Sequence, residues 1–256
     1  MSSVATDGWH VGLLGGWMLR RNAVPVPVPR RPRRLIAAIS LRGPRSRPYL
    51  AQLLWPDVST RRATNNLRNT LWHTTHELPG LLADSAEVVD LHPGVVVDVH
   101  EAHRAAANVM LTRGLTGVDA LVEQEPLLPD WYEDWVLEER DSLHRLRVEC
   151  LETLTRRALD PGAIGNPGQA AASRVAVRTA IAACAAEPLS ESLALLLIQA
   201  HVAAGDVAVG LKTFETFRSR LNTELFVQPS GSLDSYVEGI TRTLRTPSAR
   251  LQQGGG

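Results

Sequence analysis

The sequence predicts a mainly α protein in two modules: small β-sheets with three helices in front, and an all-α array behind. Three observations carry that expectation. Hydrophobic alternation with a period of two gives way to helical spacing near residue 31. Charge divides in the same sense. Residues 1–78 hold 12 Arg against Asp7, Asp57 and Glu77, a net +9, whereas residues 79–256 hold 15 Lys plus Arg against 24 acids, a net −9. Beyond about residue 100 every apolar pattern is helical. A basic front and an acidic back point to a first module that faces a polyanion.

In the front module Trp9, Val11 and Leu13 alternate, as do Val24, Val26 and Val28, with residues 17–19 as a strand between them and 20–23 as the connection. This predicts a short antiparallel sheet. Pro25, Pro27 and Pro29 cannot donate to a ladder, so the third strand belongs at an edge. Pro32 suits a first helical turn, and Leu35, Ile36 and Ile39 recur at helical spacing up to Gly43. Ser46 is a candidate N-cap for a second helix that buries Leu50, Leu53 and Leu54 and ends before Pro56. A third helix starts at Ser59 or Thr60 and runs to Leu78, where Pro79-Gly80 stops it. Residues 81–83 and 88–91 read as a hairpin, and 95–99 offers one more strand.

Behind them, breaks at 114–117, 126–129, 160–168, Pro188, 204–206 and Pro229 divide the chain into helices of about 15 residues, the pattern of an α-hairpin array resembling tetratricopeptide repeats. Phe214 and Phe217 are expected in its core, and Trp131, Tyr132 and Trp135 in core or interface. Cys150 and Cys184, the only cysteines, read as buried free thiols. Residues 245–256 are expected to be a disordered tail. No signal peptide is visible, and apolar runs such as 193–198 fall far short of the ~20 residues of a membrane span. The expectation is a cytoplasmic, nucleoid-associated protein without membrane contact.

The third helix is the chemical centre. Ala63, Leu67, Leu71, Thr74 and Leu78 form one narrow apolar stripe. Arg61, Arg62, Asn65, Arg68, Asn69, Trp72, Thr75 and His76 fall on the opposite surface, and no acid lies between Asp57 and Glu77. Arg can bind guanine edges bidentately, Asn can do the same for adenine, and both can hold phosphates. Surface helices commonly interleave Glu with Lys or Arg for i,i+4 pairs; this one does not. Small sheets, three helices and a terminal hairpin make a winged helix, the helix-turn-helix variant whose third helix enters the major groove.

Three stretches carry a family resemblance: RRLIAAISLRGPRSRPYLAQLLWPDVSTRRATNNLRNTLW (33–72), LLPDWYEDWVLEERDSLHRLRVECLETL (127–154) and AEPLSESLALLLIQAHVAAGDVAVGLKTFETFRSRLNTELFVQPS (186–230). In this order the chain resembles the antibiotic regulatory protein (SARP) family of actinobacterial transcriptional activators, over about residues 8–244. The resemblance implies a response-regulator-type winged helix over 8–97 and a bacterial transcriptional activator domain, built of tetratricopeptide-like pairs, over 98–244. It further implies activation of secondary-metabolite gene clusters, binding to promoter direct repeats as a homodimer on double-stranded DNA, and recruitment of RNA polymerase holoenzyme. By position it assigns DNA contact to Arg61, Arg62, Asn65, Arg68, Asn69 and Trp72, and polymerase contact to the turn of Pro56, Asp57, Val58 and Ser59. Three departures stand out, one of them the Pro/Gly-rich 160–168 loop in place of the usual tight connection. His73, Thr74, Thr75 and His76 follow Trp72 where relatives continue with several Arg, and the hairpin carries Asp84, Glu87 and Asp90 with no Lys or Arg.

No enzymatic motif competes. Gly12, Gly15 and Gly16 make no dinucleotide fingerprint, and no GKS/T loop, GxSxG elbow or HExxH is present. His73/His76 and His100/His103 are i,i+3 pairs without companion ligands at metal spacing. No cofactor is expected. The rival from another class is a protein-interaction module whose winged helix no longer binds DNA.

Overall fold

The computed structural model describes residues 8–85, 87–112, 114–160 and 168–245. Two compact units emerge. The first joins the described residues up to Ala107 with Glu123–Arg145; the second joins Asn108–Val122 with the described residues from Leu146 onward.

In the first unit, β1 (Trp9–Gly12), β2 (Met18–Arg21), β3 (Val24–Pro25) and β7 (Val96–Val97) form one sheet in the order β3-β2-β1-β7. The first three strands pair antiparallel, and β7 joins β1 in parallel. Asn22 and Ala23 take φ of 52° and 66°, so the connection is a tight two-residue turn rather than the four residues expected. β3 is the edge strand and stops at Pro25 rather than reaching Val28, since its prolines remove the donors a longer ladder needs.

Three helices follow: α1 (Arg30–Arg42), α2 (Arg47–Leu54) and α3 (Thr60–Glu77). Leu35, Ile36 and Ile39 of α1 are fully buried, and Gly43 closes the helix at φ 70°, its N–H donating to the Ile39 carbonyl at 2.9 Å. Ser46 occupies the N-cap position of α2, but its side chain makes no capping hydrogen bond. A second sheet, ordered β4-β6-β5, unites β4 (Arg45–Ser46), β5 (Leu82–Asp84) and β6 (Val88–Leu91). The hairpin thus gains a third strand from the α1–α2 connection, and Arg45 enters the wing sheet opposite Val89.

The strand expected at 95–99 is cut to two residues because Asp98 opens α4 (Asp98–Leu111). Asp98 Oδ2 accepts the backbone N–H groups of Leu13 (2.8 Å) and Leu14 (2.9 Å), and Oδ1 accepts that of Val99 (2.7 Å). One carboxylate therefore ties the end of β1 to the start of α4. Nearby, Leu128 N–H donates to the Leu13 carbonyl and Gly15 N–H to that of Pro126, both at 2.8 Å, which attaches the 126–128 segment to the same strand end. Arg140, in α6 (Asp134–Leu159), gathers the carbonyls of Leu127, Leu128 and Trp131 where Leu128 bends the chain at φ 38°. Trp135 is buried and Trp131 stacks on Trp17 at 6.2 Å, but Tyr132 is 77% exposed and takes no part in the core.

The second unit contains α5 (Val118–Val122), the later part of α6, α7 (Gln169–Ala186), α8 (Glu191–Ala203), α9 (Val207–Leu225) and α10 (Gly231–Arg245). Helices of uniform length do not appear: α5 has 5 residues and α6 has 26. Phe214 and Phe217 are buried with Ile198, Leu221 and Leu233. Small Ala176, Ala180 and Ala200 let α7 and α8 pack closely, and the Thr155 and Thr179 hydroxyls pair at 2.7 Å inside. Gly210 lies buried where α9 packs on α8, and an added Cβ there would sit in van der Waals contact with the Ile198 carbonyl at 3.4 Å. Cys150 is buried as expected, whereas Cys184 is only half-buried. The expected tail beyond Arg245 and most of the 160–168 break lie outside the described residues.

Asp98 generates a stability prediction. Asp98→Ala leaves the Leu13 and Leu14 donors without their acceptor and is expected to cost about 1–3 kcal/mol in chemical denaturation. Burial pushes the Asp98 carboxyl above the usual carboxylate range, against the three backbone N–H donors that pull it down. A raised folded value means that its titration adds stability below the unfolded value, near 3.9, and that this increment is lost as pH rises through the folded value. Asp98→Asn, which cannot titrate, is therefore expected to lack the acid-side increment in parallel denaturation series.

Candidate nucleic-acid interface

The orientation of α3 follows from its buried stripe. Ala63, Leu67, Thr70, Leu71, Thr74 and Leu78 are each 6% exposed or less. At 3.6 residues per turn, the eight side chains singled out on the opposite surface span an arc of roughly 140°. Arg61, Arg62, Asn65, Arg68, Asn69, Trp72 and His76 are exposed, and Thr75 is half-buried at the margin. The structure thus brings all eight onto one face.

Within that face the two halves differ. Arg61, Arg62 and Arg68 form no ion pair among the described residues, so their guanidinium donors point to solvent uncommitted. Trp72 is 56% exposed and does not pack under the hairpin; its ring stacks on His76 (centroids 4.3 Å apart, 30°) and meets His73 edge-on at 4.9 Å. Thr75 hydroxyl donates to the carbonyls of Leu71 and Trp72, each at 3.0 Å, and His76 Nδ1 lies 3.1 Å from the Trp72 carbonyl oxygen. His73 sits 3.8 Å from Glu77. The first half offers free donors, while the second is engaged with its own helix.

Beside Trp72 runs a cleft of about 360 Å³, lined by Arg47, Thr64, Leu67, Arg68, Leu71 and Thr75. Arg47 is the residue that sequence reading missed. It opens α2 and reaches the α3 face only through the α2–α3 packing; a base at the first position of the second helix was the available signal. The turn of Pro56, Asp57, Val58 and Ser59 is exposed throughout. Its residues 56–58 border a second cleft, of about 680 Å³, together with Tyr49, Gln52 and Trp55.

The charge of the unit is a correction to the basic front module. The segments that compose the first unit hold 15 Arg against 16 acids, a net −1. Arg34 pairs with Glu133 at 2.9 Å, and Arg42 pairs with Glu138 at 2.6 Å and Glu139 at 2.9 Å. Acids of the 123–145 segment thus pair with Arg34 and Arg42 of α1, whereas Arg30 and Arg31 of that helix, like Arg61, Arg62 and Arg68 of α3, form no ion pair among the described residues.

Comparison with known proteins decides the family. Residues 100–241 match the family model of the bacterial transcriptional activator domain, more than half of the chain. The chain belongs to that family. It is a family of transcriptional activators rather than of enzymes. Among solved structures, this activator-domain chain is similar to Mycobacterium tuberculosis EmbR, determined in complex with a low-affinity phosphopeptide, at a TM-score of 0.61 and 19% identity. The similarity covers 92% of this chain and 65% of the EmbR chain, so the activator-domain protein spans just under two thirds of that relative's length. The shared feature is the fold: small N-terminal sheets followed by an all-α array. Comparison with curated proteins gives no match. Among the described residues no helix is long and apolar enough to cross a membrane, and no cluster of three or more His, Cys, Asp or Glu could hold a metal ion.

Scaffold and surface of α3 are separable. Leu67→Ala, which empties a fully buried site, is expected to cost about 2–5 kcal/mol. Asn65→Ala and Arg68→Ala are expected to stay within about 0.5 kcal/mol of the parent. Urea denaturation of the three variants distinguishes them.

Proposed function

We propose that the protein is a DNA-binding transcriptional activator whose segment 8–97 lays α3 in the major groove and whose segment 98–244 is its activator domain. The observation that carries this reading is the acid-free face of α3, on which Arg61, Arg62 and Arg68 are exposed with no ion pair among the described residues and Asn65 and Asn69 stand between them. Arg and Asn at that spacing supply both phosphate anchors and bidentate base contacts. Trp72 gives the centre of the face an apolar body with room for a sugar or thymine methyl. In this reading the protein is a cytoplasmic, pathway-specific regulator of a secondary-metabolite gene cluster. It binds promoter direct repeats as a homodimer and recruits RNA polymerase through Pro56, Asp57, Val58 and Ser59.

A second reading, a protein-interaction module with weak or no DNA binding, is favoured by two observations. The hairpin between Leu81 and Leu91 is acidic, with Arg45 of β4 as the basic member of the wing sheet, and the Thr75 and His76 groups are already engaged with α3.

Fluorescence anisotropy on promoter fragments across a salt series separates the readings. If α3 neutralises phosphates, log affinity falls with log salt by about 0.9 per phosphate. Arg68→Ala is expected to weaken binding by roughly 1–3 kcal/mol if it reads a base. Absent or salt-insensitive binding would sink the activator reading. Substitution of Asp57 or Val58 by Ala is expected to lower transcription in a reconstituted assay while leaving DNA affinity unchanged; joint loss of both would remove the case for a separate activation surface.

A further inference from the structure

The second unit holds a cleft that the DNA reading does not use. It has a volume of about 320 Å³ and is lined by one stripe of α9, at positions 209, 212, 213, 216, 217 and 220, together with Ala194 and Leu197 of α8, Cys184 at the end of α7, and Pro188 and Ser190 between them. These α9 positions follow the spacing of a single helical face. The volume is at the lower end of small-molecule sites.

The chemistry of the lining is uneven. Pro188, Ala194, Leu197, Val209 and Phe217 give it apolar walls, and no carboxylate lines it, although residues 79–256 carry a net charge of −9. Its cations are Lys212, the single lysine of the chain, and Arg220. The acids of α9 lie elsewhere: Glu215 pairs with Arg218 at 2.5 Å, and Glu224 approaches Arg220 at 3.5 Å on the exposed surface. Lys212 forms no ion pair with any described residue. Thr213 and Thr216 spend their hydroxyl protons on the carbonyls of Val209 and Lys212, each at 2.9 Å, so they offer a ligand lone pairs and no donor. The donors left to a ligand on this stripe are the ammonium of Lys212 and the Nη groups of Arg220, whose Nε faces Glu224. An apolar body with one anionic acceptor at its end matches both halves of the lining.

We propose that this cleft binds a small apolar carboxylic acid, with its carboxylate between Lys212 and Arg220 and its hydrocarbon against Leu197, Val209 and Phe217. A doubly charged phosphate gains nothing from the walls, and a neutral hydrocarbon leaves both cations unused. The occupant is a free acid rather than a peptide chain end, because an aryl or short alkyl group suffices to fill the volume.

The test uses the full chain with 4-phenylbutyrate as probe and 4-phenylbutyramide as its neutral twin. Binding is read by calorimetry and by the rate of N-ethylmaleimide labelling at Cys184. Burial pushes that thiol up to about 11, so labelling is timed at alkaline pH, and peptide mass distinguishes it from buried Cys150. The acid is expected to slow Cys184 labelling and to bind at least about tenfold more tightly than the amide, the scale of a hydrogen bond to a charged group. Lys212→Met and Arg220→Met, both at exposed positions, should each weaken the acid about tenfold and leave the amide unchanged. Leu197→Trp should abolish binding, with circular dichroism reporting retained helix. Equal binding of acid and amide, unchanged affinity in Lys212→Met and Arg220→Met, or undiminished Cys184 labelling at saturating acid would overturn the proposal. Tighter binding of acetyl-Ala-Phe than of the free acid would overturn it in favour of a peptide groove. None of these outcomes depends on DNA binding, which is assigned to the other unit.

Discussion

The rotation of α3 about its own axis is the constraint on which the candidate interface depends. Ala63, Leu67, Leu71, Thr74 and Leu78 must all face the core at once, and no other rotation of the helix buries them together. A shift of one residue would carry Arg62 or Arg68 toward the core, where an unpaired guanidinium has a large desolvation cost. The buried stripe therefore does more than stabilise the helix. It turns Arg61, Asn65, Arg68 and Trp72 outward, and keeps them there without any hydrogen bond to hold the side chains.

The threonines of α3 extend this division of labour. β-Branched residues are mediocre helix formers, yet Thr64, Thr70, Thr74 and Thr75 each donate to a carbonyl four residues earlier, at 2.7 to 3.0 Å. Those hydroxyls are satisfied inside the helix, so two of them, Thr70 and Thr74, can be buried beside leucine without a penalty for an orphaned donor. The same back-bonding removes Thr75 as a donor to an external phosphate. In the proposed DNA-binding reading, specificity on this face would consequently rest on Arg and Asn, whose donors remain free, and on the exposed Trp72–His76 stack.

Helical spacing made much of this legible. The boundaries of α3, the stripe of α1 and the burial of Phe214 and Phe217 followed from period and stop signals that act within a few residues. What escaped is non-local. β4 consists of Arg45 and Ser46 alone, too short to show any alternation, and it exists because β6 offers it a partner more than 40 residues away. The carboxylate of Asp98 accepts from Leu13 and Leu14 across a separation that no local pattern encodes. Arg47 reaches the cleft at Trp72 only once α2 and α3 have packed. Tyr132 read like its neighbours Trp131 and Trp135, and its exposure shows that aromatic clustering in sequence does not fix which ring turns inward.

Charge is where structure changes the meaning of sequence most. A net +9 over residues 1–78 suggests a front that attracts DNA as a whole, but the first unit recruits Glu133, Glu138 and Glu139 from later in the chain and ends near neutrality. Long-range steering of a polyanion scales with summed charge, and at physiological salt it is screened beyond roughly 8 Å. A near-neutral unit that presents Arg61, Arg62 and Arg68 on one exposed helix face therefore offers little attraction at a distance and more at contact. In the DNA-binding reading proposed above, such a surface would discriminate by fit more than by charge: non-specific duplex, held by phosphates alone, would gain only phosphate contacts, whereas a matching sequence would add base-edge hydrogen bonds from α3. In that reading, the pairing of Arg34 and Arg42 with Glu133, Glu138 and Glu139 shifts the balance of binding from affinity toward selectivity.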